Sequence, residues 1–280
     1  MERFAGGESR ARATARDRTR QRVVLGSAVL ALVVSTIGSG ALGGTPIDEA
    51  ADGTLSATAT LVAPAGPAFS IWGVIYAGLV AYGVWQLVAA RPADPRQRAV
   101  GGLLAASMLL NAAWIVVVQA GSVTLSVLVI VALVAVLGVV LARLARSAPS
   151  GWLEALLVDG VAGLYLGWVL IATVANVSAW LSGLGVGGLA LGESAWAVVV
   201  LVVAAAIGAW LSLASGRVAP ALSLGWGLAW VAVGRSSGED TSGVVVVVAA
   251  LAAVVVLAAG VTGRVRARRR RTAARPVLAR

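Results

Sequence analysis

The chain has 280 residues, 59% of them hydrophobic and only 12% charged, with a formal net charge of +10 and a mean hydropathy of +0.93. No water-soluble globular domain of this size has that balance, so the chain is an integral membrane protein. It has neither cysteine nor histidine, which excludes disulfides, thiolate and imidazole catalysis and the usual transition-metal ligands.

The apolar runs are about twenty residues long and unbroken, as helices crossing a hydrocarbon core require, whereas barrel strands would alternate over about ten. Residues 1–22 carry arginines at 3, 10, 12, 16, 18, 20 and 22 with little that could pack, and read as a disordered basic tail. Val23 to Leu42 is the first span. A basic lead before a short apolar core also describes a signal peptide, here with cleavage after Ala41; the run is long enough to stay as an anchor, and retention is the expectation. Gly43 to Ala63 forms a polar loop with Asp48, Glu49 and Asp52, and leads into a second span over Pro64 to Gln86. A short loop with Arg91, Arg96 and Arg98 follows, broken by Pro92 and Pro95. Spans three and four cover Ala99 to Gln119 and Val123 to Leu144; span five runs from Trp152 to Leu181. After a glycine-rich loop, spans six to eight cover Ser194 to Ser215, Val218 to Gly234 and Val244 to Thr262, and the chain ends in a second arginine-rich tail.

With the N-terminus inside, only Arg235 of the 22 basic residues falls outside, where Asp48, Glu49, Asp52, Glu193, Glu239 and Asp240 also lie. That asymmetry puts both termini in the cytoplasm. The expected fold is an all-α polytopic transmembrane bundle of about eight spans, the seventh short and rich in glycine. The basic residues are explained by orientation, so no nucleic acid is expected; the bilayer is the partner, and a homodimer is allowed. The basic residues are all arginine, and with abundant Ala, Val and Gly this suggests a bacterial plasma membrane.

Three stretches differ from plain anchors. In span two, Phe69, Trp72, Tyr76, Leu79, Gly83 and Gln86 recur at steps of three and four and share one helical face. Tyr82 and Trp85 point elsewhere and read as interfacial belt. In span three, Asn111 and Trp114 share a face, and a buried amide there needs a partner on a helix or a ligand. In span five, Tyr165, Trp168, Ala172 and Asn176 form one stripe, with Gly163 and Gly167 a notch for a neighbouring helix. At about 1.5 Å per residue, Trp72, Trp114 and Trp168 fall at similar depth in the outer half of a core of about 30 Å. Asp159 lies on another face of span five; an interhelical hydrogen bond, with its proton retained, is weighed against a proton relay. Glu154 reads as an acid at a helix N-terminus near the membrane surface.

Together these stretches resemble the tryptophan-rich sensory proteins, the TspO or peripheral benzodiazepine receptor-like translocator family. The resemblance rests on Pro64, Gly66, Phe69, Trp72 and Tyr76; on Leu110, Asn111 and Trp114; and on Tyr165, Trp168, Ala172 and Asn176, in that order, over about residues 23–181. A proline usual in the family before the third motif is absent. The resemblance implies a five-helix bundle (23–181); outside it lie a basic tail (1–22), additional helices (182–262) and a second tail (263–280), read from charge and hydropathy. It further implies a pocket beneath the loop between the first two helices that binds a tetrapyrrole such as protoporphyrin, or a sterol-like lipid. The implied ligand-binding residues are Phe69, Trp72, Tyr76, Asn111, Trp114, Tyr165, Trp168 and Asn176. No catalytic or metal-binding residue and no required cofactor are expected. Three functions stay open: a sensor or carrier of a flat hydrophobic ligand, a membrane scaffold, and a porphyrin-degrading enzyme.

Overall fold

The computed structural model describes residues 13–40, 45–47, 49–88, 92–186, 191–237 and 241–273. The expectations for Asp48, Arg91, Glu239, Asp240 and the far ends of both tails lie outside the described residues. Within them the chain forms eight helices and no strand. These are α1 (Ala15–Gly38), α2 (Ile71–Val88), α3 (Pro95–Gln119), α4 (Val123–Ala145), α5 (Trp152–Gly183), α6 (Glu193–Ser215), α7 (Ala219–Gly234) and α8 (Gly243–Ala273). All but α7 are long and apolar enough to cross a membrane. The 16 residues of α7 reach only about 24 Å.

Two helices outrun the expected spans. α1 starts at Ala15 rather than Val23, so the last third of the supposed tail is helical. Thr14 Oγ1 caps the Asp17 amide at 3.3 Å while the Asp17 carboxylate accepts from the Thr14 amide at 2.9 Å, a reciprocal box that fixes the start. Asp17 is buried because Arg98 grips it through two hydrogen bonds, at 2.8 and 2.6 Å, and Arg20 adds a third at 3.0 Å. At the other end, α8 continues to Ala273, well past Thr262. Arginine is a good helix former, so hydropathy marks where the membrane stops, not where the helix does.

α1 packs on α2 and α3, α3 on α4 and α4 on α5, and α2 closes against α5. α7 lies along α5, and α6 and α8 pack on α7 and on each other. The notch on α5 explains the α7 contact. A Cβ on Gly163 would sit 2.8 Å from the Ala219 Cβ, and one on Gly167 would run into the Pro220 carbonyl. Glycine at both positions brings the two backbones together.

The end of the bundle where α1 and α3 start and α8 finishes carries most of the charge, and is called the basic end below. Arg96 on α3 donates to Glu154 at 2.9 Å, to Asp159 at 2.6 Å and to Ser147 Oγ at 3.1 Å. Arg217, at the α6–α7 turn, also pairs with Asp159. Asp159 therefore makes interhelical contacts, as expected, and its partners are two guanidinium groups. Glu154 sits in the first turn of α5, as expected; it is 2% exposed and also accepts from Gln97 at 3.1 Å and from Ser150. Tyr82 is no belt residue. It is buried and its hydroxyl donates to Gln97 Oε1 at 2.9 Å, with Trp85 stacked on it at 6.5 Å.

Candidate functional site

At the opposite end, a 3-10 turn over Gly66–Ser70 feeds α2, with Pro67 in its first positions. Proline's fixed φ suits that start, and the turn aims Phe69 into the bundle. The next helical steps place Trp72 and Tyr76 on the same side. Phe69 meets Trp168 edge-on at 5.4 Å. Trp72 stacks on Tyr76 at 5.2 Å and meets Tyr165 at 5.9 Å and Trp168 at 6.3 Å, both edge-on. These are the favourable geometries for aromatic pairs. Of the three tryptophans placed at matching depth by helix arithmetic, Trp72 and Trp168 are in contact.

The polar groups are mostly satisfied inside the cluster. Asn111 donates to the Tyr76 hydroxyl, and the Tyr165 hydroxyl donates to the Ser107 carbonyl at 3.0 Å. Trp114 Nε1 donates to Asn176 Oδ1 at 2.9 Å, and Asn176 Nδ2 donates to Ser126 Oγ at 3.0 Å. Trp168 Nε1 is buried and has no hydrogen-bond partner among the described residues.

Two hollows adjoin the cluster. The larger, about 440 Å³, lies between α1, α2 and α3 and is lined by Ser35, Trp72, Tyr76, Asn111, Trp114 and their apolar neighbours. Its wall includes Gly73 and Ala77, both exposed, so it opens on the outer face of the bundle. The smaller, about 40 Å³, lies under the α1–α2 loop and is lined by Trp168, Ala172 and Asn176 with Leu55, Ala59, Ala63 and other loop residues. Phe69 and Trp114 line both. Trp72 and Trp168 thus face adjoining hollows rather than one cavity, and Tyr165 lines neither.

Sequence reasoning missed the contribution of α1, whose Leu32, Ser35 and Thr36 form one wall of the larger hollow. The adjacent Ser35 and Thr36 near the end of an apolar run were the available signal. It also missed Ser107 and Ser126, the partners of Tyr165 and Asn176.

A family model described as TSPO-like protein matches residues 23–262. The chain belongs to the TSPO-like family. The match runs beyond residues 23–181, which hold the aromatic motifs, so α6, α7 and the part of α8 up to Thr262 fall within what the TSPO-like family model spans. No curated protein and no solved structure matches the chain. In this TSPO-like protein the later helices also touch the site. Trp226 Nε1 of α7 donates to the Ala68 carbonyl at 2.9 Å, the Ala65 amide donates to the Trp230 carbonyl at 3.2 Å, and Arg235 donates to the Ala57 carbonyl at 2.6 Å. Arg235, the one arginine expected on the loop side, is 2% exposed.

Proposed function

We propose that the protein binds a flat, conjugated, tetrapyrrole-like ligand in the groove beside Trp72 and Tyr76, acting as a sensor or carrier. The observation that carries this reading is the groove itself. Its volume of about 440 Å³ lies in the range of small-molecule sites, and it combines indole faces, a phenol, an amide and the hydroxyls of Ser35, Thr36 and Ser39 with a mainly apolar wall. Such a lining suits a ligand with broad π-faces and few polar groups. A scaffold reading is favoured by the way Asn111 and Asn176 find partners within the protein.

Titrating protoporphyrin into the detergent-solubilised protein, followed by quenching of tryptophan emission, separates the two. Saturable binding is expected, and Trp72→Ala should weaken it by about 1 kcal/mol, roughly fivefold, through loss of one stacking surface. Trp210→Ala is the control, since Trp210 is 66% exposed on α6. Trp85, expected to be a belt residue, is half-buried and serves less well. Equal binding by parent and Trp72→Ala would favour the scaffold.

The reading includes an orientation: a bacterial plasma membrane with the basic end, and hence both termini, on the cytoplasmic side, supported by the arginine asymmetry. The chain has no native cysteine, so single cysteines report cleanly. Thr58→Cys and Ala148→Cys both place the thiol at exposed positions at opposite ends. An impermeant maleimide added to intact cells should label the first and spare the second; the reverse pattern would invert the assignment.

A further inference from the structure

A second cavity, about 450 Å³, lies at the basic end between the start of α5, the α6–α7 turn and the end of α8. We propose that it binds a phosphate-bearing anion. Arg217, Arg264 and Arg268 all line it. Arg264 and Arg268 are one helical turn apart on α8, a spacing at which like charges repel, and among the described residues neither has an acid within ion-pair distance. Both are exposed, and packing fixes the segment of α8 that carries them. Gly216 turns the chain at φ +62, and a Cβ on it would lie 2.7 Å from Ala267, so the turn bearing Arg217 is pressed against the face of α8 that carries both arginines.

The floor is not neutral. Asp159 lines it but is already shared between Arg96 and Arg217, which leaves the local balance positive. Val218 and Ala219 open α7 onto the same cavity, so the positive end of that helix dipole adds to the field. Guanidinium groups match phosphate oxygens in pairs. Two sources offer that chemistry: an acidic phospholipid headgroup, whose chains would lie along the exposed Leu213, Val261 and Val265 of α6 and α8, and a soluble phosphate compound.

The full chain, delipidated in a neutral detergent, is titrated with dioleoylphosphatidylglycerol, with dioleoylphosphatidylcholine and with inorganic phosphate, and binding is followed by native mass spectrometry and by the thermal midpoint. Phosphatidylglycerol should bind and raise the midpoint while phosphatidylcholine does not. Arg264→Gln with Arg268→Gln should weaken binding about 30-fold, since each arginine near an anionic headgroup contributes about fivefold. Arg266→Gln with Arg269→Gln, on the same helix but outside the cavity, should change it little. Inorganic phosphate that competes with the lipid, and whose binding the Arg264/Arg268 pair abolishes, would support the site with a soluble source; phosphatidylglycerol binding untouched by phosphate would support the lipid. Equal binding of phosphatidylcholine, equal losses in both double variants, or no binding of either anion would overturn the proposal.

Discussion

Asp159→Ala is expected to lower stability by about 3–5 kcal/mol, the usual result of removing one partner from a buried charge network. The size follows from what stays behind. Arg96 and Arg217, with side chains 7% and 11% exposed, would both lose the carboxylate that bridges them, and Arg96 would keep only Glu154 as an anionic partner. Asp159→Asn should cost clearly less, because the amide oxygen still accepts a hydrogen bond and only the charge is lost. Unfolding in mixed detergent micelles measures both variants, and protoporphyrin titration of the folded protein supplies the second readout, expected to stay within a few fold of the parent. Unchanged stability with loss of binding would mean that Asp159 serves the ligand and not the bundle.

Trp168→Ala should be comparably destabilising, about 3–5 kcal/mol, as expected when a fully buried tryptophan is cut to alanine and its cavity cannot collapse. Trp168 is 1% exposed and touches Phe69 and Trp72 at their ring edges, so its loss loosens α2 from α5 at the level of the groove. Trp168→Phe keeps a ring and should recover much of the difference. Trp72 is half-buried, so Trp72→Ala should cost less stability while reporting more directly on the ligand. If Trp168→Ala unfolds at the same denaturant concentration as the parent, the aromatic cluster is not the keystone of this part of the core.

The helical architecture was legible because hydropathy and the three- and four-residue spacing of Phe69, Trp72 and Tyr76 are local properties. So was the meeting of α2, α3 and α5, since each motif sits on one face at a similar depth. What local pattern could not reveal were partners distant in sequence. Asp17 is buried by Arg98, Asp159 by Arg96 and Arg217, and Tyr82 finds Gln97 across a loop. Asp17 reads as tail and Tyr82 as belt until the partner arrives, and Asp159 reads as an interhelical acid whose partners no local pattern names. The π-helical turn over Ala155–Gly160 was also invisible, and the missing proline before Tyr165 only hinted that this segment departs from the familiar pattern. The division of the cluster into two hollows depends on side-chain rotation and on α1, neither of which a motif encodes.

The hydrogen bonds from α7 to the segment above the small hollow set an order of assembly. Ala68 and Ala57 are joined to Trp226 and Arg235 across sequence separations of 158 and 178 residues. At ribosomal rates of about 5–20 residues per second, those partners are synthesised on the order of ten to thirty seconds later. The roof over the aromatic cluster therefore emerges early but is fastened late, after the helices beneath it have had time to pack.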